Sequence, residues 1–269
     1  MFRRLPRWTV TVPLALTLAA GLSGCGAGGQ AAPAAATAPA TSSAAGGEAT
    51  TLTVFAAASL TGTFGELGKV FEASHPGAEV RFNFGSSATL AQQIVQGAPA
   101  DVFAAASPAT MKTVTDASLA AGPATFARNK LQIAVPADNP AKVDGLADLA
   151  DPKVKVALCA AQVPCGAAAV KALDAAGLKV TPVTLEQDVK ATLTKVSLGE
   201  VDAALVYRTD VLASGGKVKG IDFPEADKAI NDYPIAALSK AAEPAGQFVE
   251  LVLSQQGKDV LTKAGFEAP

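Results

Sequence analysis

From residue 51 onward the chain alternates short β-like runs with helix-like runs, and this alternation restricts the fold more than any other feature. Thr51 to Phe55 is β-branched and apolar. Beyond Ala56-Ala57-Ala58-Ser59, the apolar residues Leu60, Phe64, Leu67, Val70 and Phe71 recur at helical spacing until His75-Pro76-Gly77 interrupts them. Glu79 to Phe84 alternates as a strand, and the helix after it has an apolar face of Leu90, Ile94 and Val95. Asp101 to Ala105, Lys130 to Val135, Val154 to Leu158, Val201 to Tyr207 and Tyr233 to Leu238 read as further strands, with Val180 to Leu185 extended. Gly166 to Ala176, Asp188 to Leu198 and the tail from Pro244 to Ala264 read as helices. Strands alternating with helices specify an α/β architecture with mainly parallel sheets. In such sheets ligands bind beyond the carboxyl ends of strands, so the strand-to-helix turns are the places to look for function.

The first 50 residues do not share this pattern. Met1 to Arg7 holds Arg3, Arg4 and Arg7 with no acid, and Thr9 to Leu22 is apolar. Small residues then lead to Leu22-Ser23-Gly24-Cys25. A basic start, a short apolar stretch and small residues before a cut mark a secretion signal, and the stretch is too short to read as a membrane span. The Leu-Ser-Gly-Cys ending resembles a bacterial lipobox, which implies that residues 1–25 form a lipoprotein signal and that Cys25 carries the lipid. Residues 26–50 are Gly, Ala, Pro, Ser and Thr with Gln30 and one acid, Glu48, and cannot build a core. They read as a flexible tether holding an exported domain at the outer face of the membrane.

The formal net charge is −2, and loss of three arginines on cleavage leaves the mature chain more acidic. With no basic stripe, nucleic acid is not expected as a partner. Besides Cys25 the chain has only Cys159 and Cys165, an even pair in an oxidising compartment. We expect a disulfide between them that stiffens the loop Ala160 to Pro164; two free buried thiols are the alternative.

The turns themselves are rich in hydroxyls and poor in charge. Ser59, the pair Ser86-Ser87, Pro164-Cys165-Gly166, Gln187-Asp188-Val189 and Tyr207 all fall where a strand ends or a helix begins. A helix start leaves N–H groups unpaired and carries partial positive charge, which suits an anion. Taken singly, each residue has a plainer reading: Ser59 and Ser87 as N-caps, Tyr207 as a strand-end aromatic, Val189 as helix core, Gly166 as turn chemistry.

Taken together, the segments resemble a known family. Leu52-Thr53-Val54-Phe55-Ala56-Ala57-Ala58-Ser59-Leu60, Gly85-Ser86-Ser87-Ala88-Thr89-Leu90-Ala91-Gln92-Gln93-Ile94 and Gly97-Ala98-Pro99-Ala100-Asp101-Val102-Phe103 are similar to the periplasmic molybdate-binding proteins of bacterial ABC importers. Val163-Pro164-Cys165-Gly166, Glu186-Gln187-Asp188-Val189 and Leu205-Val206-Tyr207-Arg208-Thr209-Asp210 follow in that family's order. The resemblance implies a two-lobed type II periplasmic-binding-protein fold with a hinge. Residues 51–129 and 233–269 would form one lobe and residues 130–232 the other. It also implies a solute-binding protein, not an enzyme, that captures molybdate, and tungstate with it, as an oxyanion. Its partner would be a membrane permease, and the chain would act as a monomer with no cofactor beyond its ligand. The family's contacts fall on the hydroxyl of Ser59, the hydroxyl and amide of Ser87, the amides of Cys165 and Val189, and the phenol of Tyr207. The molybdenum would thus be held through its oxygens by these same residues. Relatives often have alanine where Cys165 stands. Gly85 and Ala88 depart from a commoner serine-rich stretch, which leaves Ser86 as a substitute contact.

Three rival readings remain. A sulfate or thiosulfate carrier would differ mainly in cleft size. A secreted hydrolase would need more than His75, the single histidine, which reads as a solvated turn residue; no Gly-x-Ser-x-Gly elbow and no metal-ligand spacing accompanies it. An amino-acid or polyamine binder would want charged partners. Arg208 and Asp210 read instead as solvated turn residues, and Asp101 as a turn cap. A donor-only site is expected to reject phosphate, which carries a proton at neutral pH.

Overall fold

The computed structural model describes residues 50–241 and 243–269. The expected signal with Cys25, and the tether up to residue 49, lie outside the described residues. Two five-stranded sheets organise the domain. In the first, β1 (Thr50–Ala57) pairs in parallel with β2 (Ala78–Gly85) and β3 (Val102–Ala104). A late strand, β10 (Asn231–Ala237), runs antiparallel between β3 and β4 (Ala124–Asn129). The second sheet repeats the plan. There β6 (Val156–Cys159) pairs in parallel with β7 (Thr184–Glu186) and β8 (Ala203–Tyr207), while β5 (Leu131–Pro136) runs antiparallel between β8 and β9 (Val218–Ile221). The chain passes from the first sheet to the second at Lys130 and returns just before Asn231.

Helices cover the sheets because the strands are apolar on both sides. Along β1, Leu52, Val54 and Ala56 join one core cluster and Phe55 joins another, the two-residue period of a strand with both faces buried. One face is covered by α1 (Thr61–Ser74), α7 (Pro244–Leu253) and α8 (Gln255–Lys263). Phe64 of α1 has no exposed surface and lies within 6.4 Å, ring centre to ring centre, of Phe82, Phe126 and Phe248. A fully buried phenylalanine contributes about 1.5–3 kcal/mol by burial. The opposite face is covered by α2 (Ser87–Val95) and α3 (Pro108–Asp116). The second sheet carries α4 (Pro164–Ala176), α5 (Val189–Ser197) and the short α6 (Arg208–Ala213). Ala58 and Ala88, from turns of the first sheet, pack into the second sheet's apolar cluster, so the two halves meet directly.

Several local expectations need correction. Val95 is 41% exposed; it sits on the flank of the helical stripe whose centre is Leu90, Ala91 and Ile94. The tail is two helices, because Ser254 adopts an extended conformation and its hydroxyl accepts the Gly257 amide at 3.2 Å. A Cβ on Gly257 would fall 2.3 Å from the Val252 carbonyl oxygen, so only glycine permits that corner. His75 is the residue after α1, half-buried and not freely solvated. Its ring stacks on Phe71 at 4.0 Å and its Nδ1 lies 2.9 Å from the Phe71 carbonyl oxygen.

Candidate ligand-binding site

The carboxyl ends of β1, β2, β6, β7 and β8 face one small hollow. Its lining includes Ser59, Ser86, Ser87, Cys165, Asp188, Val189 and Tyr207. All five residues singled out from the sequence are therefore brought together, although they span 148 positions between Ser59 and Tyr207. The cavity measures about 20 Å³. That is room for a very small guest and not for a sugar or a peptide.

Each lining group owes its place to local chain chemistry. Ser59 follows β1 in a single 3-10 turn, Ala58–Leu60, and is 8% exposed. It caps no helix; α1 begins after Leu60. Its Oγ lies 3.0 Å from the phenol oxygen of Tyr233. Ser87 is the first residue of α2 and is 1% exposed; its Oγ accepts the Ala106 amide at 3.0 Å. That bond uses one of the oxygen's two lone pairs and leaves the Ser87 proton to be given elsewhere. Ser86 occupies the N-cap of α2, yet its hydroxyl makes no capping bond and has no partner among the described residues. The helix start thus keeps its unpaired amides instead of satisfying them with a side chain.

From the second sheet come two more helix starts. At α4, Cys159 and Cys165 form a disulfide with Cα atoms 5.7 Å apart, closing the loop that leads into the helix. Pro164 holds the first helical position, where its missing N–H costs nothing. A Cβ on Gly166 would sit 1.9 Å from the Ala160 carbonyl oxygen, so the loop folds against the helix start only because that residue is glycine. The Cys165 amide is in the first turn, where the helix itself offers no acceptor. At α5, the Asp188 carboxylate accepts the amides of Lys190 and Ala191 at 2.8 and 3.0 Å, and not that of Val189. Asp188 is the only acid in the lining, and this cap turns its charge onto its own helix. Thr192 joins the two starts: its Oγ1 donates to the Asp188 carbonyl at 2.9 Å and lies 3.2 Å from Cys159 Sγ.

Tyr207 ends β8 with 1% exposure, and its hydroxyl has no hydrogen-bond partner among the described residues. Burial pushes the phenol well above its ordinary pKa, and nearby Tyr233 and Asp210 push it further. It is a neutral donor at any physiological pH. A buried tyrosine hydroxyl ordinarily finds a partner, so an orphan facing a hollow points to a guest that accepts.

Asp210 corrects the sequence reading. It is not a solvated turn residue: it has no exposed surface, its Oδ1 lies 3.0 Å from Lys190 Nζ, and its Oδ2 accepts the Tyr207 amide at 3.3 Å. Arg208 is exposed as expected. Asp101 accepts the Thr53 amide at 2.7 Å, tying β1 to the turn before β3. Tyr233 and Asn129, the layer behind Ser59, escaped notice. The chain has only two tyrosines, and the need of a buried phenol for a partner is the sequence signal that could have pointed to Tyr233.

The hollow therefore presents hydroxyls, helix-start amides and an unpaired phenol, with no lysine or arginine among the described residues that line it. It is built to receive a small acceptor-rich anion. The family model described as bacterial extracellular solute-binding protein matches residues 52–267. The chain belongs to that family. Among relatives of this binding protein, the molybdate-binding protein ModA of Mycobacterium tuberculosis is 43% identical over 224 residues, covering 82% of this chain and 86% of the relative. The substrate-binding domain of a molybdenum ABC transporter from Clostridium difficile superposes with a TM-score of 0.61 at 27% identity, covering 82% and 99%. The periplasmic molybdate-binding protein of Azotobacter vinelandii superposes with a TM-score of 0.70 at 24% identity, covering 81% and 99%, a likeness of fold. As a member of this family the chain is a two-lobed exported binding protein, related to solute-binding proteins. Among the described residues, no helix is long and apolar enough to cross a membrane.

Proposed function

We propose that this protein captures molybdate, and tungstate with it, between its two halves and delivers it to the permease of an ABC importer. The observation that carries the reading is the Tyr207 hydroxyl, buried without a partner over the same hollow as Ser59, Ser87 and the starts of α4 and α5. The ModA relatives support the choice of anion.

A dianion entering the hollow loses its water, and donors must replace that water. Ser59, Ser87 and Tyr207 would give hydroxyl protons, and the amides of Ser87, Cys165 and Val189 would complete the set. Hydrogen bonds to a charged acceptor contribute about 1.5–3 kcal/mol each, so several hold the ion without a cationic side chain. The donors come from both sheets, which makes binding and closure one event. The crossings near Lys130 and Asn231 are where the chain would hinge. No cofactor is needed. The lipid on Cys25 would keep a monomeric carrier, on its tether, at the outer face of the membrane beside its permease.

A thermal-denaturation panel with molybdate, tungstate, sulfate, thiosulfate and phosphate tests the proposal. Molybdate and tungstate should raise stability by about 4 kcal/mol at a thousandfold excess over the dissociation constant. A larger shift with sulfate or phosphate than with molybdate would overturn it.

A further inference from the structure

The chain leaves the first sheet after Asn129 and re-enters it at Asn231, and these two residues are direct partners in the pairing of β4 with β10. Both crossings between the halves therefore pass one point, with a buried asparagine on each side of it, at 1% and 7% exposure. Neither is among the described residues that line the hollow. The Asn129 Nδ2 donates to Thr209 Oγ1 of the second half at 2.8 Å. The Asn231 Nδ2 donates to the Ala106 carbonyl of the first half at 2.6 Å. A carbonyl only accepts, so the nitrogen of the Asn231 amide is the atom that faces Ala106. Ala106 itself lines the hollow and is 3% exposed. Both of its backbone polar groups are held: the carbonyl by Asn231, and the N–H by Ser87 Oγ at 3.0 Å. An N–H only donates, so the direction of each bond follows from its atoms.

We infer that Asn231 is a positioning residue for anion capture: through Ala106 it fixes the place of the Ser87 hydroxyl before the guest arrives. The inference rests on the oxyanion-binding reading above and adds to it a residue outside the lining. Ala106 follows β3, which ends at Ala104, and the only backbone tie from this segment to β10 is the Ala105 N–H to the Pro234 carbonyl at 2.9 Å. Asn231 supplies a second tie at the next residue, on the side that faces α3. With that tie the Ala106 N–H keeps its position, and Ser87 Oγ keeps the partner that orients it. All three residues belong to the first half, so the relay stands whether the halves are apart or together. A donor held in place beforehand loses little further freedom on binding, and more of its hydrogen bond appears as affinity.

The test titrates molybdate by calorimetry, well below the unfolding temperature, into the unaltered protein, Asn231→Leu, Ser87→Ala and the double variant. Leucine is close to asparagine in size and removes the donor. Affinity in Asn231→Leu should fall by about 3- to 10-fold, the weight of one neutral hydrogen bond. In the Ser87→Ala background the same substitution should leave affinity unchanged, since the hydroxyl it acts through is gone. Thermal denaturation without anion should show a lower Tm from Asn231→Leu in both backgrounds, because the buried Ala106 carbonyl loses its partner either way. Asn231→Ala serves if the leucine variant fails to fold. Unchanged affinity in the single variant, or an equal loss in both backgrounds, would make Asn231 merely structural and overturn the inference while the binding function stands. Failure of the unaltered protein to bind molybdate would instead overturn the function.

Discussion

The ammonium of Lys190 lies 3.0 Å from the carboxylate of Asp210, a residue with no exposed surface. This ion pair joins the start of α5, which holds the Val189 amide, to the end of β8, which holds Tyr207. Two residues that line the hollow, from different turns of the second sheet, are thereby tied together by one contact outside the lining.

Removing Lys190 should be costly. Lys190→Ala leaves a buried carboxylate without its cation, and we expect a loss of roughly 3 kcal/mol in urea denaturation at neutral pH. The pH dependence follows from Asp210, whose pKa is raised by burial although Lys190 draws it down. A carboxyl that holds its proton longer in the native state supports folding fully below the ordinary carboxylate pKa. Its contribution is lost as pH climbs from that value to the raised one. Without Lys190 the raised value moves up, so the decline should extend to higher pH in Lys190→Ala. Denaturation across a pH series checks this; identical profiles would show that the pair does not hold Asp210.

Tyr207→Phe separates binding from folding. Its hydroxyl has no partner among the described residues, so deletion should leave anion-free stability unchanged or slightly higher. Molybdate affinity should fall by about 10- to 100-fold, because a bond to a charged group is lost. Calorimetry and thermal denaturation of the same preparation decide the point. A drop in stability with unchanged affinity would mean that the phenol is structural.

Ser87→Ala should do both kinds of damage. It removes a donor from the hollow and strips the Ala106 amide of its acceptor. We expect weaker molybdate binding together with about 1–3 kcal/mol lower anion-free stability. The contrast with Tyr207→Phe in paired denaturation curves is the diagnostic result.

Reducing the disulfide should loosen the α4 start. The loop between Cys159 and Cys165 is short, and on the chain-entropy model its release lowers stability by about 2 kcal/mol. The Cys165 amide would lose its restraint, so molybdate affinity should fall as well. Gly166→Ala should reach the same end by crowding the Ala160 carbonyl. Titrations of Cys159→Ser/Cys165→Ser and Gly166→Ala against the unaltered protein test both.

Much of the fold was legible in the chain because its signals are local. The two-residue period of β1 and the helical period from Leu60 to Phe71 record which faces are buried, and each element carries its own copy. The strands β4 and β9 and the helix α3 lack so plain a local signal: α3 buries only Thr110, Met111 and Val114, and the two strands take their identity from the neighbours they pair with. The broken tail turned on a close approach of Gly257 to Val252, a contact that no periodicity encodes.

By itself the sequence determined the α/β alternation, the turns at which function would lie and, through resemblance, the residue types that gather there. Only the tertiary structure decided which of those groups remain free. Ser59 and Ser87 resemble ordinary caps in the chain, and Asp210 resembles a solvated turn residue. Whether a hydroxyl is spent on a neighbour or left for a guest, and whether a carboxylate is bathed or buried, depends on partners such as Tyr233, Ala106 and Lys190. A hydrogen bond is a property of two positions brought within about 3 Å, and that distance exists only once the chain has folded.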